Sequence, residues 1–201
     1  MTAPHPSETR TTLSTTQREE SDRVTGGAAR KALAVVRIGF GLTFLWAFFD
    51  KLLALGFSTG ATTDATGAKT GIDFFSKDAW VNGGNPTLGF LKFGATGPLT
   101  GFYHAIAGDA WVNWAFMLGL LFIGTALTLG IAIRLGAAAG CLMYLMMWSV
   151  TLLPEANPLI DEHILGAATM VVLGLTLAGD TWGLGKAWAR THLVAGNPVL
   201  R

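Results

Sequence analysis

From Trp111 to Leu153 the chain carries a single charged side chain, Arg134. A helix in water keeps a polar face, whereas apolar runs of about twenty residues with no such face belong in a membrane. The stretch therefore reads as two crossing helices over 110–133 and 135–153, joined by a tight turn at Arg134 between Gly130 and Gly136. Composition agrees: the 201 residues are 51% hydrophobic and 13% charged, about half the roughly 25% charge of an ordinary soluble domain.

A third apolar run covers 32–55, and at about 1.5 Å per residue it reaches roughly 36 Å, enough to cross a bilayer. A fourth span is predicted over 157–178, with Asn157 as N-cap and Pro158 in the first turn. The fold class that follows is an all-α membrane protein, a four-transmembrane-helix bundle over 31–180. Residues 1–30, rich in Ser, Thr and charge, read as a disordered cytoplasmic tail. They do not read as a signal peptide, since the first apolar run comes after a long polar segment and exceeds an h-region. Residues 181–201 read as a C-terminal cytoplasmic tail.

The connection 56–109 is too long and too aromatic for a plain linker. Phe74, Phe75, Trp80, Phe90, Phe93, Phe102 and Tyr103 fall in short apolar pieces broken by Gly and Pro. Two or three short interfacial helices, forming a lid over the outer mouth of the bundle, are expected; an ordinary folded loop is the alternative. Arg18, Arg23, Arg30, Lys31 and Arg37 precede or open the first span, Arg134 marks the second turn, and Lys186, Arg190 and Arg201 follow the fourth. The positive-inside rule then places both termini in the cytoplasm. Gly39, Gly41, Gly119, Gly124, Gly136, Gly140, Gly166 and Gly174 lie within spans, where small residues let helices approach closely.

A formal net charge of +1 offers no basic face to neutralise phosphates, so nucleic acid is not an expected partner. Cys141 is the only cysteine, which excludes an intramolecular disulfide, a CxxC pair and a cysteine zinc site. His5 and His192 fall in the tails, leaving His104 and His163 as the whole supply for haem or metal, and neither group is expected.

Ionisable groups in or near lipid are costly unless paired, and only a few stand there. Arg37 lies inside the first span, either snorkelling to headgroups or pairing with structure or ligand. Asp50, near the outer end of that span, reads either as a structural hydrogen-bonding group or as an acid. Asp161, Glu162 and His163 open the fourth helix, where the helix dipole favours the carboxylates but not the imidazole. His163 is either satisfied by a neighbouring carboxylate or placed to bond a quinone carbonyl or relay a proton. Asp50, Glu162 and His163 are the candidate proton-handling groups. His104, Lys51, Lys77, Lys92 and Arg37 are the candidate contacts to an anionic substrate, with no metal ligands assigned.

Three segments carry a family resemblance: RIGFGLTFLWAFFDKLLAL from Arg37, WVNGGNPTLGFLK from Trp80, and NPLIDEHILGAATMVVLGLTLAGDTWGLGKAW from Asn157. Over about 32–190 the chain resembles the DoxX family, most closely its DoxD-type branch, the membrane subunit of thiosulfate:quinone oxidoreductase. The resemblance implies a multi-pass protein of the bacterial cell membrane tied to quinone-linked oxidation of thiosulfate or a related sulfur species. It also implies a possible redox partner subunit or respiratory complex. A non-catalytic anchor that recruits such a partner is the alternative. The lone Cys141 departs from related four-helix quinone enzymes that use cysteine pairs.

Overall fold

The computed structural model describes Val24, residues 26–153, Asn157 and residues 159–201. Residues 1–23 and 25 of the expected N-terminal tail, and Pro158 of the expected fourth-helix start, lie outside the described residues. Four main helices follow one another: α1 (Gly27–Leu53), then, after the long connection, α4 (Ala110–Leu129), α5 (Ile133–Val150) and α6 (Glu162–Leu175). The connection holds a small hairpin, β1 (Ala61–Thr63) with β2 (Lys69–Ile72), and two short helices, α2 (Leu88–Phe93) and α3 (Thr100–Ile106). Two further short helices, α7 (Gly185–Trp188) and α8 (His192–Ala195), follow α6.

Helices α1, α4 and α5 are long and apolar enough to cross a membrane. At about 1.5 Å per residue, α6 with its 14 residues reaches only about 21 Å, short of a hydrocarbon core of about 30 Å. It starts later than expected because its N-cap is Asp161, whose carboxylate accepts from the amides of His163 and Ile164 at 3.0 and 3.1 Å. Asn157 instead closes a separate turn, accepting from Leu159 and Ile160 at 3.0 and 3.1 Å. Val35, Leu42, Leu118, Phe122, Leu142, Leu145, Leu165 and Leu175 are all exposed. An apolar girdle drawn from every main helix is costly in water and neutral in lipid.

Glycine sets the helix packing. A Cβ on Gly41 would fall 2.6 Å from the Thr128 amide nitrogen, and one on Gly124 would fall 2.8 Å from that of Leu45. Along the pair one residue number rises as the other falls, so α1 and α4 run antiparallel at backbone contact. Gly136 meets Ala126 and Gly119 meets Met143 across α4 and α5, while Gly140 meets Met170 and Gly166 meets Tyr144 across α5 and α6. Gly39 alone of the expected packing glycines faces open space. Phe44, Phe48, Met117, Leu120, Ile123, Leu127, Met170 and Leu173 fill the core between these contacts.

The antiparallel order gathers the start of α1, the α4–α5 turn and everything after α6 at one end, here the base. Residues 181–201 are folded back there: Arg201 ion-pairs with Asp180 at 3.0 Å, its carbonyl accepts from the Arg134 amide, and Trp188 donates to Leu200. The 56–109 connection lies at the opposite end and is fastened to three helices. Phe75 donates to the carbonyl of Leu53 in α1, Thr87 to Asn113 in α4, and Thr96 to Val150 in α5. The Tyr103 and Ser149 hydroxyls, 2.5 Å apart, add a second tie to α5.

Candidate functional site

Beneath that connection a cleft of about 1020 Å³ opens between α4 and α5. Its wall on α4 is Val112, Ala115, Phe116, Gly119 and Ile123, and on α5 it is Ala139, Leu142, Met143, Met146, Met147 and Val150. Both sets repeat at three and four residues, the spacing of one helix face. The polar groups cluster at the end under the connection: Lys51, Ser58, Thr59, Asp78, Asn85 and Thr87. The cleft is thus long, apolar and lipid-height along the helices, with a polar end, the form suited to an amphipathic ligand. Met143, Met146 and Met147 add soft, adaptable surface.

Among the described residues Lys51 is the one cation lining it; its ammonium donates to the Ser58 hydroxyl at 2.7 Å. Ser58 in turn donates to Asp50. Asp50 is itself almost fully buried and also accepts from the amides of Phe57, Ser58 and Thr59 at 3.0, 2.8 and 3.1 Å. Four donors on two oxygens make Asp50 the cap that folds the chain back after α1, and leave it little capacity to manage a substrate proton.

Arg37 has a comparable structural duty at the base. It is fully buried and donates to the carbonyls of Leu127, Thr128, Thr181 and Trp182. The last four carbonyls of a helix lack intrahelical donors. Here Gly130 serves Ala126, Arg37 serves Leu127 and Thr128, and the Leu184 amide serves Leu129. Arg37 therefore neither snorkels nor lines the cleft; it ties the end of α4 to the turn after α6.

His163 is half-buried, and its Nδ1–H donates to Asp161 at 2.8 Å. Its ring meets that of Tyr144 edge-on at 6.4 Å. Burial pushes Asp161 up, but hydrogen bonds from the His163 ring and the Ile164 and His163 amides outweigh it and hold the carboxyl below its ordinary value. Glu162 is exposed beside them, and ligand atoms of the three residues lie within 4.8 Å of one another. None of the three lines the cleft.

Lys77, Lys92 and His104 are exposed on the connection and stand outside the cleft wall, Lys92 resting 6.0 Å over the Phe93 ring. The candidate residues are therefore dispersed, and of them only Lys51 reaches the cleft. Among the described residues, Lys51, Lys69, Lys77 and Lys92 share this end with Asp50, Asp64, Asp73, Asp78, Asp109, Asp161 and Glu162. Carboxylates outnumber ammonium groups there. Tyr103, Trp111 and the methionines of α5 line the cleft without having been singled out as site residues. The signal available for them was the pair of matching apolar strips on consecutive helices. The chain matches no family model, no characterised protein and no solved structure in the comparisons made with it.

Proposed function

We propose that the protein is an integral membrane component of a quinone-linked redox system and that the cleft between α4 and α5 is its quinone site. The cleft itself carries the reading: an apolar trough of about 1020 Å³ with one polar end fits a flat, acceptor-bearing head on an apolar tail. Lys51 and Asn85 supply donors at the polar end, and Ala115, Phe116, Leu142 and Met146 offer the surface for a tail. A bound quinone would supply two-electron, two-proton redox chemistry. The chain's own part is to orient the head, through Lys51 held by Ser58, and to keep water from the tail.

In this reading α6 is the fourth membrane element, packed along α5, and the 56–109 connection lies as a lid at the outer surface. The base holds Arg30, Lys31, Arg134, Lys186, Arg190 and Arg201 around Asp180, and that cation excess supports a cytoplasmic base. The electron donor, thiosulfate or a related sulfur species, is proposed on the DoxX resemblance alone; the lysines of the outer end do not support anion capture. A second reading, a quinone-binding subunit that takes electrons from a partner protein, is favoured by the solitary Cys141, which offers no dithiol to carry them.

Titration of the detergent-purified chain with a short-chain quinone, read by quenching of tryptophan fluorescence, tests the site, because Trp111 lines the cleft. Saturable quenching that is weakened by Ala115→Phe and by Lys51→Met, with circular dichroism unchanged, is the expected result. Quenching that never saturates, or that ignores both substitutions, refutes it. Adding thiosulfate then separates the two readings: reduction of the quinone by the chain alone supports catalysis, and its absence supports the partner-fed subunit.

A further inference from the structure

At the opposite end from the cleft, the first turns of α1 and the turn after α6 enclose a cavity of about 60 Å³. Arg30 reaches its wall from α1 and Lys186 from α7, with Val24 and Leu33 forming an apolar back. Among the described residues of the wall the one carboxylate is Asp180, which is paired with Arg201 at 3.0 Å. Among the described residues neither Arg30 nor Lys186 has an acidic partner. We propose that this cavity is a binding site for one phosphate ester group, and that the group is the headgroup phosphate of an anionic membrane lipid.

Size, preorganisation and setting support it together. The volume is that of a few water molecules, the scale of one phosphate group. The wall is held in place beforehand: Leu177 of the wall and Trp182, next to its Thr181, adopt left-handed backbone conformations, at φ 48° and 52°, that non-glycine residues take only under constraint. Arg37 supplies that constraint by holding the Thr181 and Trp182 carbonyls at 3.2 and 3.0 Å. A lipid is favoured over soluble phosphate by the apolar Val24 and Leu33 of the wall and by the exposed Trp182 that follows Thr181 of the wall in the chain, the residue type that settles at headgroup level. Basic pockets between helix ends on the cytoplasmic side are suited to such headgroups.

The test uses the full chain in detergent, with native mass spectrometry after incubation with phosphatidylglycerol or phosphatidylcholine. One retained phosphatidylglycerol per chain, with phosphatidylcholine lost, is expected. Arg30→Gln and Lys186→Gln each weaken retention about five-fold and together about thirty-fold, whereas Arg30→Lys keeps it and Lys31→Gln with Arg190→Gln, at the same end but off the cavity wall, leave it unchanged. Both wall cations are exposed, so the melting temperature of the variants stays that of the parent and excludes misfolding. Equal retention of the two lipids, or retention indifferent to the Arg30 and Lys186 substitutions, overturns the site. Displacement of phosphatidylglycerol by millimolar inorganic phosphate overturns the lipid assignment and gives the cavity to soluble phosphate.

Discussion

Arg37→Met removes the donor that closes the end of α4 while keeping most of the apolar stem of the side chain. In the parent, the fully buried guanidinium donates to four carbonyls on two segments. Hydrogen bonds from a charged donor contribute about 1.5–3 kcal/mol each, and the cost of burying the guanidinium offsets part of their sum. The substitution recovers that burial cost but strands Leu127 and Thr128, whose carbonyls have no helical donor, together with Thr181 and Trp182. A net loss of about 3–5 kcal/mol is expected, the range for breaking a buried charged network. For a chain of this size each kcal/mol shifts the melting temperature by about 2–4 °C, so the variant should melt roughly 10 °C lower. The assay is thermal unfolding in detergent at neutral pH, followed by the loss of the monodisperse peak on size-exclusion chromatography. Arg190→Met, an exposed cation at the same end, serves as the control and should leave the midpoint in place. An Arg37→Met midpoint within about 2 °C of the parent would refute the reasoning, since removing the shared donor of four carbonyls, one buried and three part-buried, cannot be that cheap.

Gly41→Ala places a methyl 2.4 Å from the Thr128 hydroxyl and 2.6 Å from its amide nitrogen, an overpacking that should cost about 1–3 kcal/mol or more; Gly39→Ala, facing open space, should be neutral or slightly stabilising in the same melting assay. Against the upward push of burial, hydrogen bonds from the His163 ring and the Ile164 and His163 amides hold the Asp161 carboxyl below the ordinary carboxylate value, so its contribution to stability is present above that value and is lost as pH falls through the lowered one, the unfolded chain taking up the proton first. The parent's melting temperature should therefore drop at acid pH by more than that of Asp161→Asn, and equal slopes would contradict the assigned shift. At neutral pH Asp161→Ala should lose about 1 kcal/mol of capping, and Asp161→Asn much less. Among the described residues the buried Thr128 hydroxyl has no hydrogen-bond partner, so Thr128→Val should keep or raise the melting temperature; a marked fall would show that the hydroxyl has a role in the contact with Gly41.

The long helices were legible because hydrocarbon leaves a coarse signal, a run without charge, that survives errors of a few residues at either end. The start of α6 was not, because Asn157 and Asp161 are both good caps, and nothing in the spacing decides which one the helix adopts. In the structure Asn157 spends its oxygen on Leu159 and Ile160, and the helix waits for Asp161. The β1–β2 hairpin had a weaker signal: β-branched Thr62, Thr63, Thr70 and Ile72 flank a turn in which Asp64 accepts from the Thr66 and Ala68 amides. Against the aromatic pieces around it, that pattern pointed as much to loop as to strand. The cleft was hidden for a different reason. Val112, Ala115, Phe116 and Gly119 have the spacing of any packed helix face, and only the tertiary arrangement reveals that α5 does not close over them along their whole length.

Rarity of charge marks the apolar helices, and the few charges that remain near them, Arg37 and Asp50, turn out to fasten the fold. A charge near hydrocarbon persists only if protein groups satisfy it, and the groups most available are the backbone carbonyls and amides that helix ends leave without partners. The same scarcity that makes such a residue conspicuous in the sequence therefore draws it toward helix ends as a fastener: Arg37 closes the last turn of α4, and Asp50 gathers three amides after α1. A residue so engaged has its donors or acceptors already spent. A ligand that lies partly in lipid needs the reverse, a surface with little hydrogen-bonding demand of its own and one group still able to turn toward it. Along the cleft that surface is methionine, leucine and alanine, and Lys51 is the group, held by a single hydroxyl contact to Ser58 rather than by a set of backbone partners.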